Sequence, residues 1–356
     1  MQIKKNVSIK NLNTFCVDVK TKYFVQVETV EKLKKVLRNY KDEKIFILGG
    51  GSNTLFVNDW DGLMLKIDIK GKKVKKKEDE NYVYVECNSG ELWDDFVHWT
   101  VENNYAGIEN MVMIPGTVGG AVAQNIAAYG QNITDVLFEI VVWNIKNEKE
   151  RILKPENCNF AYRSSNFKHE WKNKYIITKV IFKLKKESGD LELSYHERAG
   201  RYGSLLEELQ TFAKEPYSLK DVLRAVKNQR EKRLPSVDMC GTCGSFFQNP
   251  VVSLKKFKEL QRKIPDLQSY PVEGLNYEKG EKQEEFVKIP AGRLLDELGW
   301  KGSWDGNVGV SEKHALCVVT NKKAKGKDVL KFTRKMKKSV KESYGIELVE
   351  EVNIVL

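Results

Sequence analysis

The stretch MCGTCGSFFQNP, residues 239–250, sets two cysteines at C-x-x-C spacing directly before a Gly-Ser pair, two phenylalanines and Asn-Pro. Cys240 and Cys243 could bind a metal or cycle as a dithiol; alternatively the thiols are incidental and Ser245 matters. A structural zinc needs four ligands, and no second C-x-x-C or paired histidine motif accompanies this one. His98, His169, His196 and His314 stand far apart in different contexts. A redox dithiol of the thioredoxin kind opens a helix, whose dipole lowers the thiol pKa. Here the pair runs into GSFFQNP, which reads as a turn and then a strand. No metal site and no dithiol chemistry are expected of it.

Two other segments offer chemistry through backbone rather than side chains. GGGSN (49–53) follows the apolar run KIFIL, where glycines permit positive φ and close approach, and backbone N–H groups can cradle a phosphate. It matches neither G-x-G-x-x-G nor G-x-x-x-x-G-K-[ST], so a plain tight turn is an equal reading. IPGTVGGAVAQNIAAYG (114–130) is almost free of charge and rich in small residues, yet carries Gln124, Asn125 and Tyr129. It is either a buried connection with closely packed backbones or, together with GGGSN, one of two walls around a large flat cofactor with a pyrophosphate. In AYRSSNFKHE (161–170), Arg163 is a surface residue or a bidentate clamp for a carboxylate or phosphate.

The elements that must position these groups follow from periodicity. TKYFVQV reads as a strand and the following VEKLKKVLRNY as an amphipathic helix; KIFIL and LMLKI read as buried strands. A second alternation runs from NYVYVEC through the helix ELWDDFVHWTVENN to the strands VLFEIVVWNI and YIITKVIFKL. The polar segment 187–203 is expected to be a mobile loop. The helix SLKDVLRAVKNQREKR leads into the cysteine segment; the short helix in IPAGRLLDELGWKG, the strand HALCVVTN, a lysine-rich helix and a closing strand GIELVEEVNIVL follow. This is an α+β chain in at least three pieces.

Composition narrows the function class. With 356 residues, 41% hydrophobic and 31% charged, the chain can bury a substantial core across two or three domains. No stretch approaches the run of about 18 apolar residues that a membrane span needs. The N-terminus shows no secretory signal, and six scattered cysteines suit free thiols, so the cytosol is expected. The net charge of +11 is concentrated in KGKKVKKKEDE (70–80) and NKKAKGKDVLKFTRKMKKSVKE (321–342). The first reads as a hairpin connection between LMLKIDI and NYVYVEC, the second as a helix with a solvated lysine face. A basic nucleic-acid-binding protein is the competing reading, but no aromatic-interleaved patch supports it.

The motifs GGGSN-x-L-F, IPG-x-VGGA-x-x-QNIAAYG, AYR-x-S-x-FK and G-x-x-GSFF-x-NP, with L-x-x-EV near the end, occur here in one order over nearly the whole chain. In this the sequence resembles the UDP-N-acetylenolpyruvoylglucosamine reductase family, in its longer subtype with a tyrosine loop. The resemblance implies an α+β protein: a two-lobed FAD-binding fold of the vanillyl-alcohol-oxidase type plus a C-terminal α+β substrate-binding domain. The lobes would span residues 1–70 and 71–215 and the substrate domain 216–345, with 346–356 returning near the active site. Non-covalent FAD would be held by Gly49, Gly50, Gly51, Ser52 and Asn53. On the second segment Ile114, Pro115, Gly116, Thr117, Val118, Gly119, Gln124, Asn125, Ala128 and Tyr129 would join them. NADPH would be the electron donor and an enolpyruvyl UDP-sugar the acceptor, with the chain a cytosolic monomer. Hydride addition to the enol ether builds charge on the adjacent carboxylate, which preorganised donors must meet. By the resemblance, Arg163 and Glu351 take that role and Ser245 delivers the proton. Tyr195, Arg230, Arg233, Asn249 and Glu297 match substrate contacts. The chain departs from the family pattern where Arg233 replaces a usual Lys and Glu297 a common Gln. Val349, Glu350 and Asn353 alter the closing motif. Since neighbours on a strand face opposite sides, only one of Glu350 and Glu351 can serve. Another flavin oxidoreductase of the same fold is the alternative.

Overall fold

The computed structural model describes residues 3–76, 79–186, 191–193, 203–272 and 285–356. The chain opens with β1 (Lys4–Ser8), β2 (Lys20–Val27), α1 (Val30–Asn39), β3 (Ile45–Leu48), β4 (Thr54–Phe56) and β5 (Trp60–Ile67). Four of these strands form a sheet in the order β1-β2-β5-β3, antiparallel between β1 and β2 and parallel from β2 onward. Thr29 starts α1 by accepting the Lys32 N–H at 3.1 Å. Leu33, Val36 and Leu37 fall on one helical face, which packs on Val25, Val27, Leu63 and Leu65 of the sheet. Leu63, Met64 and Leu65 of the central β5 are all fully buried, because a strand in a parallel sheet is covered on both faces.

The second unit contains β6 (Lys72–Lys75), β7 (Tyr82–Asn88), α2 (Trp93–Glu102), α3 (Val118–Gln124), β8 (Ala127–Ala128), β9 (Gln131–Asn132), β10 (Leu137–Asn144), β11 (Lys149–Leu153) and β12 (Tyr175–Lys185). Its five-stranded antiparallel sheet runs β11-β10-β12-β7-β6. The lysine run 70–80 is therefore not a hairpin connection from β5 to β7, which lie in different sheets. Its residues Lys72–Lys75 form β6, an edge strand whose lysines discourage further pairing. Two helices follow, α4 (Leu205–Gln210) and α5 (Leu219–Arg233). The stripe Leu219, Val222, Ala225 and Val226 of α5 joins Trp93, Phe96 and Phe182 in the core of this unit. By packing, α5 thus belongs to the second lobe rather than to the substrate domain that 216–345 would assign it to. The segment 187–203, expected as a mobile loop, falls outside the described residues save 191–193 and 203, and Tyr195 with it.

The C-terminal unit comprises β13 (Gly241–Ser245), β14 (Val251–Ser253), α6 (Leu254–Lys263), β15 (Tyr270–Pro271), β16 (Phe286–Lys288), α7 (Ala291–Glu297), β17 (Trp304–Asp305), β18 (Val308–Val310), β19 (Cys317–Thr320), α8 (Gly326–Tyr344) and β20 (Asn353–Val355). Its main sheet is β13-β19-β18-β17 and a smaller one is β14-β16-β15. The cysteine segment is strand rather than turn: it pairs with β19, with a bulge between Thr242 and Ser245. The closing strand is shorter than expected, with only Asn353–Val355 pairing, in parallel, with β4. On α8, Val329, Phe332, Met336 and Val340 are buried while the lysines face out. Several are neutralised locally, as in Lys335–Asp305 at 2.6 Å, Lys337–Glu350 at 2.9 Å and Lys341–Glu347 at 2.9 Å. Phe246 and Phe247 share one apolar cluster with Leu48, Leu55 and Phe56, so the first lobe and the C-terminal unit are packed together. Among the described residues no helix is long and apolar enough to cross a membrane.

Candidate active site

A cavity of about 590 Å³ lies between the two glycine-rich segments, closed on one side by the chain's end. Gly49, Gly50, Gly51, Ser52 and Asn53 line it from the first lobe; Ile114, Pro115, Gly116, Thr117, Gly119 and Gln124 line it from the second. The two segments touch. A methyl group at Gly50 would come within 2.5 Å of Gly116 Cα, and one at Gly119 within 2.9 Å of Ser89 Cβ. Ser52 Oγ ties the walls together by donating to the Pro115 carbonyl at 2.9 Å, and Lys66 Nζ donates to the Gly49 carbonyl. Burial pushes the Lys66 ammonium pKa down.

Four expected cofactor residues do not line the cavity. Val118, the first residue of α3, turns into the second core. Asn125 ends that helix with φ 50° and donates from Nδ2 to the Ala161 carbonyl at 2.8 Å. Ala128 lies in the small β8–β9 hairpin, and Tyr129 sits near Arg230 and Arg233. Conversely, Ser89, Lys168, Lys172 and the strand Asn353–Val355 line it although none of them is among the expected cofactor residues. The strand Asn353–Val355 is brought there by its parallel pairing with β4.

One wall, at Lys168 and Glu351, adjoins a charged cluster. Arg163 occupies a tight turn, Ala161–Ser164, at φ 55°, a left-handed conformation that side chains seldom adopt. Its guanidinium donates to the carbonyls of Asn125 at 3.4 Å and Ala127 at 3.0 Å, and its Nε reaches Glu351 Oε1 at 3.1 Å. Both side chains of that ion pair are about four-fifths covered. Glu351 is held by backbone pairing with the segment after Ser245: its N–H donates to the Phe246 carbonyl at 2.8 Å, and Gln248 N–H to Val349. The alternation separates the two glutamates, since Glu350 turns to Lys337 on α8 and Glu351 to Arg163. Two further cations gather here. Lys168 Nζ donates to the Arg163 carbonyl at 2.7 Å, and Lys288 lies over the Tyr162 ring at 4.7 Å. Burial, opposed by Glu351, brings the Lys168 pKa down to about 8; burial and then Arg163 lower that of Lys288. Three cations against one carboxylate make this wall suited to an anion.

Ser245 ends β13 opposite Cys317, one residue from the backbone bond that holds Glu351. The preceding Gly244 has φ 71° and open space around its α-carbon. The cysteines have other surroundings. Cys243 is buried, its Sγ 3.5 Å from Thr14 Oγ1, and burial raises its pKa to about 12, so it is an inert thiol. The Cys240 Sγ–H donates to the Ser236 carbonyl at 3.4 Å. Among the described residues no group of three ligating side chains could hold a metal ion.

The remaining expected contacts divide. Arg230 Nη2 donates to the Met113 carbonyl at 3.2 Å, and burial lowers its pKa, with Arg163 and Cys317 near enough to act on it. Arg233 Nη2 donates to the Gly203 carbonyl at 3.4 Å. Asn249 Oδ1 accepts the Ala291 N–H at 3.0 Å, fixing the start of α7. Glu297, at the other end of α7, is paired with Arg293 at 2.7 Å, and neither lines the cavity.

The cavity fits a flat cofactor with a diphosphate. Its size falls within the range of ligand sites. Its glycine cradle has no room for side chains. Two residues lining it, Ser89 and Gln124, hold buried donors, Oγ and Nε2, without partners among the described residues.

The comparisons with known proteins agree. Residues 21–144 match the family model of an FAD binding domain, and residues 235–355 that of the C-terminal domain of UDP-N-acetylenolpyruvoylglucosamine reductase. The chain is 41% identical over 355 residues to the UDP-N-acetylenolpyruvoylglucosamine reductase of Flavobacterium johnsoniae, covering 100% of both. With that of Bdellovibrio bacteriovorus it shares 36% over 353 residues, 99% of each. The solved reductase of Thermus caldophilus has the same fold, with a TM-score of 0.65 at 22% identity over 100% of both chains.

Proposed function

The chain belongs to the UDP-N-acetylenolpyruvoylglucosamine reductase family, and on that premise we propose how its residues divide the work of the reaction. The protein is an FAD-dependent oxidoreductase of peptidoglycan precursor synthesis. It uses NADPH to reduce the enolpyruvyl ether of UDP-N-acetylglucosamine to UDP-N-acetylmuramate. When bound, FAD supplies the hydride relay between NADPH and this substrate. The residues of the glycine segments and Ser89, Thr117 and Gln124 would hold it.

The observation that carries the assignment of roles is the contact between Arg163 and Glu351, of which Glu351 lines the cavity. As hydride reaches the enol ether's β-carbon, negative charge develops on the substrate carboxylate. Arg163, already fixed by two carbonyls, meets that charge without reorganisation. Lys288 and Lys168 add to the positive field. Glu351 accepts from Arg163 in this state. Beside a bound carboxylate it would exchange that role for that of a protonated donor. Ser245 delivers a proton to the substrate α-carbon, which is strongly basic at that stage. Tyr195, Arg230, Arg233 and Asn249 are assigned to the UDP-sugar, Arg230 on the support of its nearness to Arg163. The reaction is assigned to the cytosol, with its charged nucleotide substrates, and the enzyme is assigned as a monomer.

The test is spectroscopic and kinetic. The purified protein should show visible flavin bands and oxidise NADPH only when the enolpyruvyl nucleotide is present. Ser245→Ala should keep flavin reduction by NADPH while turnover falls by roughly 10²–10⁴-fold. Turnover near the native level would remove Ser245 from the proton-donor role.

A further inference from the structure

Lys168 lies five residues beyond Arg163 and faces back on it. Its Nζ donates to the Arg163 carbonyl at 2.7 Å and so closes the turn Ala161–Ser164 on itself. That turn holds Arg163 at φ 55°, where a non-glycine residue is strained and persists only if its surroundings determine it. Lys168 also lines the cavity, as Glu351 does. We infer that Lys168 is a positioning residue for the reductase reaction: its ammonium fixes the Arg163 turn, and through it the Arg163–Glu351 pair against which the substrate carboxylate is bound.

The inference rests on the roles given to Arg163 and Glu351 above. A hydrogen bond from a charged donor to a carbonyl is stronger than one from a neutral amine, so the clamp depends on the proton. The charged groups around Lys168 are Glu351, which favours the ammonium, and Arg163 and Lys172, which oppose it. With burial the largest influence, the ammonium gives up its proton near pH 8. The clamp is then complete below that pH and loosens above it.

The experiment compares pH profiles of the FAD-loaded wild type with those of Lys168→Arg and Lys168→Met, alongside a pH titration of the bound-flavin absorbance. Wild-type kcat should fall about tenfold per unit above about pH 8. K168R, whose guanidinium keeps its charge, should retain turnover within a few-fold and lose this limb. K168M should lose on the order of tenfold to a hundredfold in kcat, with KM for the nucleotide changed far less, and should also lose the limb. The flavin absorbance should titrate with the same midpoint in the wild type and stay flat in K168M. An alkaline limb or spectral titration that persists in K168M overturns the inference, as does a rise in KM with kcat unchanged. Arg163→Ala separates the two levels. Surviving turnover in R163A would bring down the parent reading, whereas an inactive R163A beside an unchanged limb in K168R and K168M brings down only the role of Lys168.

Discussion

At the scale of the residue, the two glycines that each follow a cysteine of the pair serve opposite needs. Gly244 has φ 71° with nothing within 4 Å of where a methyl group would stand, so only its backbone conformation requires glycine. Gly241 has ordinary backbone, but a methyl group there would lie 2.2 Å from the Phe15 carbonyl and 2.4 Å from Thr320 Oγ1. Gly244→Ala should therefore cost about 1–2 kcal/mol, while Gly241→Ala should cost more, through overpacking of a backbone contact that cannot yield. Urea unfolding of the two variants checks the order, and an equal or inverted cost would contradict this account. The C-x-x-C spacing that first suggested thiol chemistry holds one buried thiol, Cys243, raised to about 12, and one bonded to backbone. The spacing was legible in the sequence; the burial that silences it was not.

At the scale of the element, two glycine segments from different sheets approach within van der Waals limits. Gly50→Ala should push them apart, since its methyl group would stand 2.5 Å from Gly116 Cα. FAD affinity should fall at least about tenfold, equivalent to roughly 1.4 kcal/mol, with the fold retained; flavin fluorescence during titration of the apoprotein measures it. Full FAD affinity in this variant would show that the cradle is not where the diphosphate lies. The sequence marked both segments as glycine-rich and left each open to a bland reading as a turn or a packed connection. Their juxtaposition, once present, removes that ambiguity. The lysines of β6 leave no periodicity that reads as a strand, and the closing strand reads longer in the sequence than the three residues of β20, whose partner, β4, lies about three hundred residues earlier.

At the scale of the molecule, the C-terminal unit is joined to the first lobe by one apolar cluster, and its interior includes a titratable group. His314 Nδ1 accepts the Leu316 N–H at 3.1 Å, a bond that needs the unprotonated ring. Burial, then Arg233 and Lys301, lowers its pKa to about 4, with Asp296 opposing. Its folded pKa is thus below the ordinary value near 6.5, so the unfolded chain takes up the proton first as pH falls. Its contribution to stability is intact above about 6.5 and is lost between there and about 4, to the extent of about 3 kcal/mol. His314→Gln should stabilise the protein at pH 4.5 relative to pH 7.5 when each is compared with the wild type by urea unfolding. A difference independent of pH would exclude His314 as the source.

Much of this protein was determined by the sequence alone. Periodicity specified β2, α1, β3, β5, α5 and α8, because burial of one face leaves a local record in residue order. The long motifs carried the family, and with it FAD and the reaction. Single residues with demanding backbone, such as Arg163 and Gly244, could be singled out by motif. Only the tertiary structure decided that α5 packs in the second lobe, that Glu351 rather than Glu350 meets Arg163, that Glu297 is tied to Arg293, that Lys168 lines the cavity and that Lys288 lies over Tyr162. Each of these depends on contacts between segments distant in the chain, and chain order does not record which side of a strand or helix another segment will cover.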